Sequence, residues 1–388
     1  MRQTLQFAQI FVTLAACGGS ASLALAISYR ITELSPQLLN PGYVYARGSG
    51  VAVNSLGEVA FNVSGSPKSG LPKAALYRGG FATDLGNLPD ARYEEAHGLN
   101  DHGHIVGGSS DDCCSSFETS GNTRAFIYDG TTMRRLSGLE GFHSIAQAIN
   151  NDGDVVGWYV TDISDLFHAE QAFRHDGTTL YHLGTLGGSG GRAYDINNAG
   201  QITGWSLTAS GEQHAFLYDG TVMHDLGSFG NVPSAGRGIS SRGHVAGHFG
   251  SIGSGGRHAF LHDGETMLDL GQLEGLNTWA YSVNSSDFVV GVAYGPSDLE
   301  GKGKAFLYTP ATGIVALSSL VVLPPGSTAL NSALDINDAG QITGYGSKDG
   351  LQRGFLLTPV PEPSTFVLAV VLAVGWITGR RRWGAENR

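Results

Sequence analysis

Along the interior of the chain, polar turn phrases and short apolar runs alternate in a fixed order. The phrase N-x-x-G stands at residues 54–57, 100–103, 150–153, 197–200 and 337–340, with degenerate copies at 240–243 and 284–287. The seven copies are spaced 43 to 53 residues apart. An apolar run such as "HIVGG", "DVVGW" or "QITGW" follows each. A second phrase comes next, as in "KAALY", "RAFIY", "HAFLY" and "KAFLY". Four of these lead into Asp-Gly, at Asp129-Gly130, Asp176-Gly177, Asp219-Gly220 and Asp263-Gly264, and a third phrase of the type "TDLG" or "HDLG" completes the unit. N-x-x-G and Asp-Gly supply the positive-φ positions of tight hairpin turns. The runs between them have strand length and are rich in Val, Ile, Phe, Leu and Tyr. Each unit therefore predicts four short antiparallel strands, A-x-x-I-N, G-x-I-V-G, x-A-F-L-Y and x-x-D-L-G. Their apolar residues fall on both faces, as in sheets covered on both sides.

A four-stranded repeat of this period predicts a β-propeller. The near-identity of "AYDINNAGQITGWS" (residues 193–206) and "ALDINDAGQITGYG" (residues 333–346) is then the recurrence of half a blade. The chain ends favour a closed ring. "SYRITEL" (residues 28–34) reads as a fourth strand, and the last repeat stops after its third, "RGFLLTP" (residues 353–359). The expected fold is all-β, a seven-bladed propeller over residues 27–359 with the N-terminal strand completing the last blade. Two packed β domains are the competing architecture. The phrase His-Ala-Phe at residues 214–216 and 258–260, with looser copies, resembles the HAF repeat of extracellular bacterial proteins. The resemblance implies a location outside the cytoplasm and supplies no catalytic residues.

Composition agrees with a turn-dense β protein, with 58 Gly and 15% charged residues. The chain carries −11, and residues 27–359 carry −14 because the two ends contribute +1 and +2. Such a body repels phosphates, so nucleic acid is not an expected partner.

Both ends read as targeting segments. Residues 1–26 have the form of a signal peptide with an A-x-A site ending at Ala26. Leu14-Ala15-Ala16-Cys17 within it resembles a lipobox, which would lipidate Cys17, and an uncleaved anchor is a third reading. At the other end, residues 360–388 join a Pro-rich turn, an apolar stretch of 14 residues and an Arg cluster. The stretch spans about 21 Å as a helix, short for a bilayer but aided by snorkelling Arg380, Arg381 and Arg382. This ending resembles the PEP-CTERM sorting domain. That resemblance implies a single transmembrane helix with a cationic stop, and Pro361, Glu362 and Pro363 as the motif for an exosortase-type transpeptidase. It further implies transient residence in the inner membrane, then release to the cell surface or an exopolysaccharide matrix.

No constellation of catalytic residues is legible, and no catalytic, cofactor or metal site is expected. Gly187-Gly188-Ser189-Gly190-Gly191 matches G-x-S-x-G but lacks the strand-to-helix setting of a nucleophile elbow. His102 and His104 lie on a repeat turn, and residues 150–154 lack the distal Glu of a calcium loop. Cys113-Cys114 sits in an insertion, "SSDDCCSSFETSGN", directly after Asp111 and Asp112. The residue after the second-strand Gly varies, and Trp158, Trp205 and Tyr345 there are candidate glycan contacts, with inter-blade packing as the other reading. No copy carries an Asp or Glu set that breaks the repeat pattern in a catalytic way, so the expected role is non-catalytic binding or structure. A propeller-type polysaccharide lyase or glycosidase is the alternative.

Overall fold

Every N-x-x-G phrase is the tight turn between a first and a second strand. Its glycine takes φ between 74° and 86° in six copies, a conformation that excludes most side chains. Asp287 fills the seventh place at φ 61°, which aspartate tolerates better than other non-glycine residues. The computed structural model describes residues 27–34, 47–64, 73–111, 123–161, 170–251, 256–295 and 303–360. These residues form seven four-stranded antiparallel sheets, the blades of a β-propeller.

Blade 1 holds β2 (Arg47–Val53), β3 (Val59–Ser64), β4 (Lys73–Arg78) and β5 (Phe81–Asp84). Blade 2 holds β6 (Tyr93–Leu99), β7 (Ile105–Ser110), β8 (Arg124–Tyr128) and β9 (Met133–Arg135). Blade 3 holds β10 (His143–Ile149), β11 (Val155–Val160), β12 (Glu170–His175) and β13 (Leu180–His182). Blade 4 holds β14 (Gly187–Ile196), β15 (Ile202–Thr208), β16 (Gln213–Tyr218) and β17 (Met223–Gly227). Blade 5 holds β18 (Ser234–Ile239), β19 (Val245–Ser251), β20 (Gly256–His262) and β21 (Met267–Gly271). Blade 6 holds β22 (Asn277–Val283), β23 (Val289–Tyr294), β24 (Lys304–Thr309) and β25 (Gly313–Ala316). Blade 7 is composite: β26 (Ser327–Ile336), β27 (Ile342–Lys348) and β28 (Leu351–Pro359) are completed by β1 (Tyr29–Leu34). β1 runs antiparallel to β28, with Tyr29 opposite Pro359 and Leu34 opposite Gly354, so the N-terminal strand closes the ring as its sequence predicts.

The core is a series of apolar layers between neighbouring blades. Val106, Ala125 and Ile127 of blade 2 pack with Val155 and Phe173 of blade 3. Leu34 and Leu356 of blade 7 pack with Val59 and Phe61 of blade 1, which seals the ring. Inside most blades a second-strand glycine faces a third-strand phenylalanine, as in Gly107–Phe126, Gly204–Phe216 and Gly344–Phe355. A Cβ on Gly204 would lie 2.8 Å from the Phe216 ring and 1.9 Å from the Arg192 carbonyl, so the glycine is required by close approach. Blade 1 reverses the pair: Phe61 stands in the second strand opposite Ala75 in the third. One large and one small residue still fill the layer.

The turn asparagines tie the blades together. Asn54 Nδ2 donates to the carbonyl of Asn100 at 3.1 Å, Asn100 to Asn150 at 3.0 Å, Asn150 to Asn197 at 3.4 Å and Asn197 to Ser240 at 2.9 Å. Asn284 donates to Asn337 at 3.1 Å and Asn337 to Asn54 at 2.8 Å. The chain of bonds circles the ring and is interrupted at Ser240, whose hydroxyl accepts only from His244 N at 3.1 Å. Ser240→Asn should complete the circle and stabilise the protein by about 1 kcal/mol, the net worth of a typical hydrogen bond. Asn100→Ser should lower stability by at least as much. Thermal melts of both variants measure this, and a drop in melting temperature for Ser240→Asn would count against the circular arrangement as a stabilising device.

Candidate functional site

Each innermost strand breaks register at the same place in its repeat, and β14 and β26 carry further shifts nearer their starts. The shifts fall between Gly50 and Ala52, Ala96 and Gly98, Ala146 and Ala148, Ala193 and Asp195, Gly236 and Gly238, Ala280 and Ser282, and Ala333 and Asp335. A bulge leaves one residue without a partner and re-aims its side chain. The bulged residues are Val51, His97, Gln147, Tyr194, Arg237, Tyr281 and Leu334, one from each blade. All seven line a single cavity of about 300 Å³, the central channel. The flanking repeat is nearly uniform, whereas no chemical type dominates this ring.

Beneath it lies a layer of the residues that follow each bulge: Ala52, Gly98, Ala148, Asp195, Gly238, Ser282 and Asp335. It is tight, for a Cβ on Gly98 would lie 2.8 Å from Ala148 Cα and one on Gly238 2.7 Å from Ser282 Cα. A second cavity of about 200 Å³ opens from here toward the asparagine turns, and the two cavities share Leu99, Ile149, Asp195, Ser282 and Asp335. The two aspartates therefore stand at the waist of the channel, half-buried. The outer mouth on this side is lined by polar turn residues, among them Asp101, Asn151, Asn198 and Asp338.

The sequence reading named neither of the waist aspartates. They sit in the two most alike phrases of the chain, at a place where other copies carry Ala, Gly or Ser, and that exception is the signal that could have found them. Asp195 accepts from Ile239 N of blade 5 at 2.8 Å and from Ile196 N at 2.8 Å. Asp335 accepts from Val53 N of blade 1 at 2.8 Å, from Ser282 Oγ of blade 6 at 2.6 Å and from Ile336 N at 2.9 Å. Burial pushes Asp195 up to about 7; its hydrogen bond from Ile239 opposes this, and the charge of Asp335 adds to it. Asp335 is also raised, by burial, against the pull of its three donors.

The rings offered as candidate glycan contacts, with inter-blade packing as the other reading, are not brought together. Trp158, Trp205 and Tyr345 occupy equivalent places on β11, β15 and β27, in blades 3, 4 and 7. Trp158 is 1% exposed. The guanidinium of Arg192 lies 3.9 Å above its ring, and Arg192 in turn grips Glu170 at 2.7 and 2.5 Å. Trp158 is therefore an inter-blade packing residue, with its face covered. Trp205 and Tyr345 are half-buried, and Trp205 Nε1 donates to Tyr194 Oη of the channel ring at 3.1 Å.

The other sequence candidates have local roles. Ser189 is exposed at the start of β14, and its carbonyl accepts from Gln171 Nε2 at 3.1 Å. The rings of His102 and His104 are 5.7 Å apart, and among the described residues no cluster of three or more His, Cys, Asp or Glu gathers as a metal site would require. Asp154 is paired with Arg174 at 2.8 Å. The histidine of each His-Ala-Phe phrase bonds the aspartate of the following strand: His214 to Asp225 and His258 to Asp269, both at 2.9 Å. Lys73 and Asp84 repeat the pairing at 3.4 Å. Ala26, Cys17, Cys113, Cys114, Pro361, Glu362, Pro363, Arg380, Arg381 and Arg382 lie outside the described residues.

Comparison with known proteins supplies the class. The β-propeller domain of the Trilobed protease from Pyrococcus furiosus matches with a TM-score of 0.52 and 7% identity, over 81% of this chain and 93% of that one. YCF48 bound to D1 peptide matches at 0.48 and 11% identity, over 86% and 97%. A putative TolB from Agrobacterium tumefaciens matches at 0.45 and 14%, over 72% and 94%. At such identities the likeness is one of fold. No family model and no curated protein matches the chain. The chain is thus a seven-bladed β-propeller whose individuality lies in its channel ring.

The raised pKa of Asp195 has a consequence for stability. Below its ordinary value of 3.8 the carboxyl is protonated in both folded and unfolded chains, and its contribution is greatest. Between 3.8 and about 7 the unfolded chain releases the proton first, so stability falls as pH rises. Asp195→Asn should flatten this part of the profile. Melting temperature measured from pH 4 to pH 8 decides it, and an equal slope in the variant would show that Asp195 is not the responsible group.

Proposed function

We propose that this chain is an exported, non-catalytic binding propeller of the cell envelope or extracellular matrix that holds exopolysaccharide in its central channel. The observation that carries the reading is the divergence of the bulge ring. Strands, turns and inter-blade bonds repeat around the molecule, while the seven side chains presented to the channel include an arginine, a histidine, an amide, two tyrosines and two aliphatics. A structural ring has no need of such variety; a ligand with unequal sides does. Propellers carry many functions, so the channel and not the fold bears the argument. A purified-protein binding array of bacterial exopolysaccharides should show retention that is lost when Tyr194 and Tyr281 are both replaced by Ala. Retention unaffected by these changes would remove the channel from the reading.

The proposal includes sorting by an exosortase-type transpeptidase that reads Pro361, Glu362 and Pro363, with the following apolar segment and Arg380–Arg382 holding the tail at the membrane. Its support is the order of parts in the sequence: rigid turn, apolar segment, cationic stop. In a host with such an enzyme, Glu362→Ala should accumulate an uncleaved precursor that is still inserted. Mass spectrometry of the mature C-terminus reads the result, and native protein retaining residues 364–388 would make the tail a plain anchor.

A lyase or glycosidase reading is favoured by one feature, the Asp195–Asp335 pair at the waist with raised pKa values. Against it, both carboxylates are engaged by backbone donors of neighbouring blades, which gives them a bracing role. Shortening of the bound polymer in the array experiment would favour the enzyme.

A further inference from the structure

Arg237 is the one permanently charged member of the bulge ring. Its guanidinium lies between two aromatic rings, 4.0 Å from the centre of Tyr194 in blade 4 and 4.9 Å from that of Trp279 in blade 6. Stacking of this kind engages the faces of the planar group and leaves its N–H donors in the plane. Among the described residues, no group accepts a hydrogen bond from that guanidinium, and no carboxylate lies within ion-pair distance of it. Its Nε is buried and unpartnered. Arg192 in blade 4 shows the ordinary solution, for it is stacked on Trp158 and also grips Glu170. Arg237 is stacked in the same manner, with the acid missing.

A half-buried cation without a counter-ion is costly, and the cost is relieved when an anion supplies the absent acceptors. Arg237 also lines the 300 Å³ cavity, so an anion entering the channel comes against this side chain. We infer that Arg237, held flat between Tyr194 and Trp279, is an anion-recognition site that takes the carboxylate of an acidic sugar unit. This rests on the polysaccharide reading above and names the class of sugar. Gln147, Tyr194 and Tyr281 line the same cavity and offer neutral donors and acceptors suited to hydroxyl groups. The chain's net charge of −11 disfavours densely charged polymers, so a sparsely charged glycan fits better than a polyphosphate or nucleic acid.

The test is calorimetric titration of the full chain with a glucuronate-containing tetrasaccharide and with its carboxyl-reduced counterpart, which keeps the carbon skeleton and loses only the charge. The native protein should prefer the acidic form by about 10- to 100-fold, as expected for a charge-assisted bidentate pair. Arg237→Met should bind both forms equally. Arg237→Lys, which keeps the charge without the fork, should lose most of the preference, and it serves if the Met variant fails to fold. Equal binding of both forms by the native protein overturns the anion site and leaves the polysaccharide reading standing. Absence of binding to either form overturns both. A preference for an acidic peptide of the same charge, lost with Arg237, would overturn the sugar assignment and give the fork to a protein partner.

Discussion

Each turn asparagine uses both ends of its amide. The oxygen accepts the backbone N–H four residues on, and at Asn54, Asn100, Asn197 and Asn284 also the one two residues on, and so folds its own turn. The nitrogen donates to the next blade's turn, as in the bond from Asn100 to the carbonyl of Asn150. A blade cannot shift against its neighbour without breaking a bond whose acceptor is buried, and unsatisfied buried groups of this kind cost about 1–3 kcal/mol each. The same side chain thus shapes the hairpin and sets the spacing of the ring, and the position of every innermost strand follows from it.

With the turns fixed at one end, the bulges decide what the channel presents. In blades 2 to 7 the carbonyl five residues before the first turn residue approaches the second strand so closely that a Cβ there would lie 1.8 to 2.1 Å from the oxygen, whereas blade 1 sets Phe61 opposite Gly50 at the same bulge. The second-strand glycine, the bulge and the channel-facing residue are therefore parts of one geometric unit. Repetition of the unit makes a ring, and freedom at its single unpaired position makes a site. Asp195 and Asp335 belong to the same logic one residue further on, where their carboxylates reach the backbone of the next blade. The cost of burying them is visible in their raised pKa values.

The His-Ala-Phe phrase reads differently once its partners are seen. Its histidine pairs with the aspartate of the adjoining outer strand, and its phenylalanine fills the space left by the second-strand glycine. Both are devices for building a blade. A motif that recurs with the repeat serves the repeat, whereas residues that differ between copies are where a function can be carried.

Strand boundaries, blade number and ring closure were legible because they depend on local chemistry: turn residues with positive φ, apolar runs of strand length and the order of phrases at the two ends. The swap of Phe61 and Ala75 and the degenerate turn at Asp287 did not obscure the pattern, since each keeps the volume or backbone angle that its place requires. The channel was not legible in the same way. A bulge is a mismatch of two residues against one and exists only when the partner strand is in place, so the sequence alone does not say which of the variable residues turns inward. Trp158 could be a glycan platform or a packing residue by its sequence, and only the position of Arg192 over its ring decides for packing. Asp195 and Asp335 are 140 residues apart and meet only because seven blades close into a circle. Whether Arg237 has a partner is likewise a property of the assembled ring, because its neighbours Tyr194 and Trp279 come from the blades on either side.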